Sequence, residues 1–390
     1  MANTRFRDKA ILLLSNLEEG REVRTYLSQF QKADSGCFAV IKVGGALVAK
    51  EGKALGQRLA LLQALGLNPI VVFGSGPQLD EKLLKEGIHP ERQDGLRVTP
   101  AAAIPIISEE IMRTGLSLVK SIADCGGHAL LSPPTTVKGR LINGQKYGRV
   151  GEATSIYKEG ISQTLQAGAI PLISCLGQDE EGRVLNINAD AIAREVARAM
   201  RPLKIVFLTS TGGLLDQEQR IIDTINLVSD YDHLIKEHWV EGGMQLKLEQ
   251  IKLLLDDLPP STSVSMTNVP HMMKELFTHG GAGTLIRQGE RILSGGVADQ
   301  EKLTSLISEA FGKTLHASYW DKTDIDHVIY TERYRAAAVI TQFDGIPCLD
   351  KFAVSKEARG EGLAKAVWRE LQQRSPQLIW RSRVTNPFSG

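Results

Sequence analysis

Three charged residues stand at turns where they could stabilise the charge of a phosphoryl group. Lys42 lies at the end of an apolar run, just before Gly44 and Gly45. Asp190 lies at the start of a helical pattern that follows an apolar run, and Lys247 lies at the start of a second helical pattern. Strand-to-helix junctions expose backbone N–H groups beside a positive helix N-terminus, which suits anions. In an open α/β sheet, ligands bind at the carboxyl ends of the strands, where the three groups can converge.

Two glycine loops accompany these residues, VGGA at 43–46 and GSGP at 74–77. Neither has the GxxxxGK[ST] spacing of a Walker A loop, and neither is GxGxxG. Close backbone packing explains either loop alone equally well. The prediction of a phosphate site therefore depends on the loops and the charged residues together. A solvated surface position for Lys42 is disfavoured, because it ends a run without polar alternation.

Alternating apolar runs and helical patterns must position these residues. Strands are predicted at 37–43, 68–74, 128–132, 169–177, 203–210 and 261–269, with a hairpin at 139–156. Helices are predicted at 8–33, 51–66, 101–124, 188–200 and 243–257. Strands that are apolar throughout are typical of a sheet covered on both faces. The fold class predicted is α/β, with an open, mainly parallel sheet sandwiched by helices.

The pattern changes near residue 290. Residues 289–296 are interpreted as a last turn and a linker, followed by a helix at 299–312 and an antiparallel meander at 327–355. A third glycine loop, ARGEGLA, then precedes a helix at 361–373 and a strand at 377–383. We predict an N-terminal oligomerisation helix in 1–35, a first domain in 36–292 and a smaller α+β domain in 297–390.

Composition excludes several classes of function. The 390 residues carry a net charge of +1, which gives no basic excess for nucleic acid. No apolar run approaches the roughly 20 residues of a membrane span, and the start resembles no targeting segment. A cytoplasmic protein is predicted. The four cysteines are far apart, so we expect buried free thiols and no metal site.

The stretches VIKVGGALV, GSGPQLD, GLRVTP, NINADAIA, LTSTGGLLD and EGGMQLK occur in this order within residues 37–290. As an ordered set they resemble the N-acetylglutamate kinases of the amino-acid kinase family. The resemblance implies ATP with Mg²⁺ as phosphoryl donor and N-acetylglutamate as acceptor, in arginine biosynthesis. It implies that Lys42 and Lys247 stabilise the phosphoryl group in transfer to the γ-carboxylate, and that Asp190 orients both lysines.

The same resemblance implies the binding residues. Those for acetylglutamate are Gly44, Gly45, Gly74, Ser75, Arg97, Asn186 and Asn188, and those for ATP are Thr209, Ser210, Gly212 and Gly213. A bidentate arginine is the expected partner of a carboxylate, and Arg97 would bind the α-carboxylate. Where the family usually has His-Gly-Gly-Gly-Pro, this chain has FGSGP at 73–77. The Cβ of Ser75 narrows the approach of a ligand to the backbone amide of that residue.

A second resemblance covers the last hundred residues. YRAAAVIT, CLDKFAVS and IWRSRVTNP resemble the acetyltransferase domain of kinase-fused, vertebrate-like N-acetylglutamate synthases, and ARGEGLA resembles the acetyl-CoA loop of GNAT-type acetyltransferases. The resemblance implies acetyl-CoA binding by Arg359, Gly360, Gly362 and Ala364, and glutamate binding by Lys313, Lys351, Arg381 and Asn386. A tight turn without a ligand is the alternative. Because family members continue further, a C-terminally shortened domain that binds coenzyme A with little turnover is expected.

Residues 276–292 resemble the arginine-feedback segment of arginine-sensitive members, which also carry an N-terminal helix like 8–33. This implies arginine as an effector and a homotetramer or homohexamer. Packing of the helix on its own domain is the alternative. Two other functions stay open: a synthase whose kinase domain is a regulatory scaffold, and a non-catalytic arginine-sensing or assembly partner. Retention of Lys42, Asp190 and Lys247 favours kinase chemistry over both.

Overall fold

The computed structural model describes residues 20–30, 37–238, 240, 243–260, 262–278, 281–297, 299–356, 358 and 362–381. The chain forms two compact units, Met1–Asp223 with Gly242–Leu285 and Thr224–Glu241 with Ile286–Gly390. Within the described ranges, no helix combines the length and apolar character that a bilayer span requires. The predicted helix at 8–33 is described only from residue 20 to residue 30, and the rest of it lies outside the described residues.

The strands are β1 Ala39–Val43, β2 Ile70–Phe73, β3 Arg92–Gln93, β4 Leu96–Arg97, β5 Ala129–Leu131, β6 Val137–Leu141, β7 Val150–Ile156, β8 Ile170–Ser174, β9 Leu176–Gln178, β10 Val184–Ile187, β11 Lys204–Leu208, β12 Thr224–Asn226, β13 Ser263–Thr267, β14 Thr284–Arg287, β15 Ile292–Gly295, β16 Ile325–Thr331, β17 Ala336–Phe343, β18 Ile346–Val354 and β19 Ile379–Trp380. The α-helices are α1 Gly20–Phe30, α2 Gly45–Ala64, α3 Gly76–Lys85, α4 Ile104–Ala123, α5 Gly144–Tyr147, α6 Lys158–Gln166, α7 Ala189–Met200, α8 Leu227–Leu234, α9 Gly243–Asp256, α10 Met272–Phe277, α11 Gln300–Phe311, α12 Tyr319–Lys322 and α13 Leu363–Arg374.

The first unit is built on a sheet in which β13, β11, β1, β2, β8 and β5 lie side by side in this order. β1 pairs in parallel with both β2 and β11, and Lys42 is opposite Val72 and Phe207. Side chains alternate across β1, so Ile41 packs into one apolar cluster with α2 and α4, and Val40 into another with α7. Helices therefore cover both faces, which is why the strands are apolar throughout.

The predicted hairpin at 139–156 is present as the antiparallel pair β6 and β7, which closes into a small barrel with β9 and β10. Its connection is the short helix α5 rather than a two-residue turn. The Asn143 side chain accepts a hydrogen bond from the Lys146 N–H and so caps this helix.

The described part of the N-terminal helix packs on its own chain. Tyr26, Leu27 and Phe30 of α1 are buried, and the ring of Phe30 lies 5.3 Å from that of Phe38 and 5.7 Å from that of Phe277. The apolar face of α1 is therefore covered within the first unit. The expectation that this helix holds an oligomer together stays a prediction.

The second unit contains an antiparallel meander, β15-β16-β17-β18, to which β19 adds in parallel. α11 packs on one face of this sheet and α13 on the other. The interpretation of residues 289–296 as a turn and linker is wrong, because Ile292–Gly295 form β15 and pair with β16. A four-residue strand that ends at Gly295 and is followed by Gly296 resembles a loop until its partner strand, distant in sequence, is known.

Candidate active site

Lys42 and Asp190 form an ion pair at the carboxyl end of β1. Nζ of Lys42 lies 2.7 Å from Oδ1 of Asp190, and the lysine side chain is 19% exposed. Asp190 lies in the first turn of α7, and its N–H donates to the side chain of the N-cap residue Asn188 at 2.8 Å. A carboxylate is stabilised at this end of a helix. The pair is therefore held in place on both sides by regular secondary structure.

The pair borders an open cavity at the end of β11. Its polar lining consists of Lys42, Asp190, Arg194, Thr209, Lys247 and Gln250, and its apolar lining of Phe207, Leu208, Ile251, Leu254 and Met266. Three cationic side chains and a single carboxylate give the cavity a positive charge that favours an anion. The structure thus brings together Lys42, Asp190 and Lys247 from three separate segments of the chain.

The two glycine loops contact each other. A Cβ added to Gly45 would lie 2.5 Å from the Cα of Ser75 and 2.8 Å from the Gly74 carbonyl oxygen, whereas one added to Gly44 meets nothing within 4 Å. The Gln78 side chain also donates to the Gly45 carbonyl at 2.6 Å. Gly45 is therefore required for close packing of the loops.

Ser75 fits the second loop without backbone strain, because its φ is −135° and lies outside the left-handed region. The residue is 1% exposed. Its Cβ is therefore packed inside the loop rather than projecting into open space. Gly74 next to it faces α7, since an added Cβ would lie 3.6 Å from that of Ala189.

Arg97 is buried beside the second glycine loop. One of its terminal nitrogens is ion-paired with Asp80 of α3, and the other donates to the Gly76 carbonyl at 3.1 Å. Burial lowers the pKa of the Arg97 guanidinium below its ordinary value. The Arg97 carbonyl accepts from the Thr99 hydroxyl at 2.9 Å, and that hydroxyl accepts from Asn186 at 3.0 Å. Arg97 and Asn186 thus belong to one hydrogen-bond network.

The loop after β11 carries the predicted ATP residues Thr209, Ser210, Gly212 and Gly213. Thr209 lines the cavity, and its hydroxyl accepts from the Gly212 N–H at 3.2 Å. Gly212 has φ of +80°, which only glycine adopts readily. An added Cβ on Gly213 would lie 2.7 Å from Ile221. Backbone shape and packing explain both glycines, and Thr209 faces the site.

The second unit contains the remaining predicted residues. Gly362 has φ of +80° and is the N-cap of α13, with Ala364 in the first turn. Lys351 on β18 is ion-paired with Asp350 at 2.7 Å, and Asp350 also accepts from the Tyr319 hydroxyl at 2.5 Å.

Arg381 follows Trp380 of β19, which pairs with Leu349 of β18, so the sheet brings Arg381 close to the level of Lys351. Lys313 is exposed after the end of α11. Arg359, Gly360 and Asn386 lie outside the described residues.

Three residues at or near the candidate active site, Arg194, Asp80 and Cys175, were not predicted from the sequence. Arg194 and Asp80 lie four residues after Asp190 and Gly76, the spacing that places side chains on one helix face. Cys175 lies near Ser75, Arg97 and Lys42, and burial raises the pKa of its thiol to about 11. No sequence pattern marks Cys175. The expectation of buried thiols is wrong for Cys125, which is exposed, and for Cys348, which is only half-buried.

Residues 38–258 match the family model described as the amino acid kinase family. The chain belongs to the amino acid kinase family. Residues 286–389 match a second model, the N-acetyltransferase of N-acetylglutamate synthase. This kinase-family chain is 43% identical over 378 residues to an acetylglutamate kinase of Xanthomonas campestris pv. campestris, covering 95% of the chain and 89% of the relative. It is 30% identical to the mitochondrial N-acetylglutamate synthase of Homo sapiens, covering 94% and 68%.

The fold resembles a crystal structure of N-acetylglutamate synthase from Neisseria gonorrhoeae complexed with coenzyme A and N-acetyl-glutamate. The TM-score is 0.67 at 19% identity, over 94% of this chain and 89% of that one. Both the kinase-type unit and the smaller unit fall within this match. The predicted fold class and the predicted family are therefore confirmed, whereas the roles of individual residues stay predictions.

Proposed function

We propose that this chain transfers the γ-phosphoryl group of ATP to the γ-carboxylate of N-acetylglutamate, a step of arginine biosynthesis. The proposal rests on the ion pair between Lys42 and Asp190, whose Nζ and Oδ1 atoms lie 2.7 Å apart and which lines the same cavity as Lys247. The 43% identical relative is named acetylglutamate kinase and is covered over 89% of its length, which supports the same acceptor here.

The chemistry needs charge neutralisation and positioning. An ionised carboxylate oxygen attacks the γ-phosphorus, the bond to the bridging oxygen breaks, and ADP leaves. No general base is required, because a carboxylate with an ordinary pKa near 4 is already deprotonated at neutral pH. Lys42, held by Asp190, and Lys247 would neutralise the transferring oxygens, while the glycine loops offer backbone N–H groups. Arg97 would bind the α-carboxylate.

We infer that magnesium reaches this site as part of the nucleotide substrate. Among the described residues, no group of three or more His, Cys, Asp or Glu side chains is arranged to hold a metal ion. The carboxylate on the cavity, Asp190, is already paired with Lys42. Mg²⁺ is commonly held by substrate phosphates and water with few protein ligands, so we infer that it enters as MgATP.

A second activity is proposed for the smaller unit, favoured by the family match of residues 286–389. It would transfer the acetyl group of acetyl-CoA to the amino group of glutamate. The N-terminus of α13, with Gly362 as N-cap, would face the pyrophosphate of the coenzyme. Lys351 on β18 and Arg381, directly after the neighbouring strand β19, would bind glutamate carboxylates. The Neisseria protein is described as complexed with coenzyme A and N-acetyl-glutamate, which supports these ligands.

The relatives of this chain also suggest proposals for its regulation by arginine, its oligomeric state and its location. A second Neisseria structure of this fold is described as complexed with coenzyme A and L-arginine, and we propose arginine as an effector here. We propose a homotetramer or homohexamer, held together in part by residues 8–33. Light scattering of the chain with and without residues 8–33 tests this proposal, because an unchanged mass would exclude a role for the segment in assembly. A cytoplasmic location is proposed, although the human relative is named mitochondrial.

The kinase proposal is tested by ADP release from MgATP with N-acetylglutamate or with free glutamate as acceptor. We expect turnover with N-acetylglutamate and background with glutamate, whose ammonium group adds a charge beside the cationic site. A parallel assay of thiol release from acetyl-CoA with glutamate tests the second unit separately. ADP release that does not depend on N-acetylglutamate would contradict the proposed acceptor.

A further inference from the structure

The guanidinium of Arg97 is held by a single turn of α3. Its Nη1 atom is ion-paired with Oδ1 of Asp80, and its Nη2 atom donates to the Gly76 carbonyl oxygen at 3.1 Å. Gly76 and Asp80 are four residues apart on the helix, so they lie on the same face. Because α3 begins at the second glycine loop, these contacts fix the guanidinium relative to that loop.

Burial makes this partner necessary. The Arg97 side chain is 7% exposed, and a cation removed from water is strongly destabilising unless a carboxylate and hydrogen-bond acceptors compensate it. Asp80 is itself anchored on its other oxygen, since Oδ2 lies 3.5 Å from the Nη2 atom of Arg92. Arg92 and Arg97 face each other across the β3–β4 pair. The Asp80 carboxylate thus lies between two arginines on neighbouring strands, with Arg97 as its buried partner and Arg92 as its exposed one.

A guanidinium has five N–H donors in one plane, and α3 engages only part of them. When the orientation of the plane is fixed from one side, the remaining N–H groups point in fixed directions. A planar carboxylate bound there would meet a prearranged fork rather than a mobile side chain, which lowers the entropic cost of binding.

We propose that Asp80 is a positioning residue for the acceptor: it holds Arg97 in the orientation that recognises the α-carboxylate. The inference rests on the proposed function, in which Arg97 binds that carboxylate of N-acetylglutamate. The opposite role is also chemically possible, because Asp80 could occupy the position of the substrate and compete with it. The two roles differ in sign, since removing a positioning residue weakens acceptor binding and removing a competitor strengthens it.

The test compares Asp80→Asn with Glu81→Gln, a charge-matched control on the same helix whose side chain pairs with Lys85 away from Arg97. We expect Asp80→Asn to raise the KM for N-acetylglutamate roughly tenfold, with kcat and the KM for MgATP within about twofold of wild type. Calorimetry of acetylglutamate binding should show the same loss without turnover. Asp80→Glu retains the carboxylate and should recover most of the affinity, which also covers the case that Asp80→Asn does not fold.

A second acceptor separates positioning from a general structural defect. 4-Acetamidobutanoate has the same reacting carboxylate but no α-carboxylate, so Asp80→Asn should lose no more kcat/KM with it than Glu81→Gln does. An equal loss with both acceptors, or an unchanged or lowered KM for N-acetylglutamate, would overturn the inference. If wild-type chain neither binds nor phosphorylates N-acetylglutamate, the proposed function fails, and the inference fails with it. If wild type is active and Asp80→Asn matches Glu81→Gln, only the inference fails.

Discussion

Replacing Lys42 by methionine removes one positive charge from the candidate active site and keeps an unbranched side chain of similar length. Nζ of Lys42 lies 2.7 Å from Asp190, and the side chain is 19% exposed. The neighbours of Lys42 in β1 are buried valine and isoleucine, so a methionine fits the strand. Asp190 is 30% exposed and can be rehydrated after the loss of its partner. The fold should therefore survive the change.

The expected loss is in turnover. A preorganised donor aimed at developing charge typically contributes about 3–4 kcal/mol to the transition state, which corresponds to a factor of roughly 10²–10³ in kcat. Lys247 remains on the cavity, so the loss should stop well short of the uncatalysed rate. Since the interaction strengthens as the phosphoryl group transfers, the KM for MgATP should change less than about threefold.

The assay is ADP release with saturating MgATP and N-acetylglutamate, together with a melting curve of each variant. Lys53→Met is the matched control, because Lys53 is exposed on α2, outside the cavity lining. It should behave as wild type. If Lys42→Met kept turnover within about twofold of wild type while melting normally, Lys42 would not act on the transferring group, and its proposed role would be wrong.

Three further perturbations follow from the same geometry. Arg97→Ala should raise the KM for N-acetylglutamate at least tenfold and leave ATP binding nearly unchanged, which titration of each substrate would measure. An equal loss of affinity for both substrates would indicate that Arg97 has a structural role. Gly45→Ala should lower the free energy of unfolding measured in urea by about 1–3 kcal/mol, because the added Cβ would lie 2.5 Å from the Cα of Ser75. Gly44→Ala is the control and should leave it unchanged, because a Cβ there meets nothing within 4 Å. Equal effects of the two substitutions would contradict the close packing of the loops. Burial raises the thiol pKa of Cys37 to about 12 and of Cys175 to about 11, so at pH 8 both stay protonated and should resist iodoacetamide while exposed Cys125 reacts. Peptide mapping by mass spectrometry would show rapid labelling of Cys175 if that burial were wrong.

Much of the first unit could be predicted because its sheet is parallel and covered on both faces. Such strands are continuous apolar runs, and β1, β8 and β11 all fall within predicted runs. The position of Lys42 and Asp190 also followed from local pattern, since each stands where a strand or loop meets a helix. The carboxyl ends of parallel strands share one edge of a sheet, so local pattern was enough to bring them together.

The remaining features depend on contacts between distant segments. β15 is four residues long and ends in a glycine, and only its pairing with β16 reveals it as a strand. Residues Thr224–Glu241 group with the second unit, although they precede the last part of the first unit in the chain. The contacts of Asp80 with Arg97 and of Cys175 with the site depend on how α3, β4 and the end of β8 pack. Periodicity carries no information about such packing.

Phosphoryl transfer to a carboxylate at the cavity bordered by Lys42, Asp190 and Lys247 would produce an acyl phosphate. Phosphorus-31 NMR of the wild-type chain with MgATP and N-acetylglutamate would detect this product, because an acyl phosphate has a resonance distinct from those of ATP, ADP and inorganic phosphate. We expect this resonance to appear only when N-acetylglutamate is present and to fall to near background in Lys42→Met. Formation of inorganic phosphate without an acyl phosphate signal, or equal signals from both proteins, would contradict this expectation.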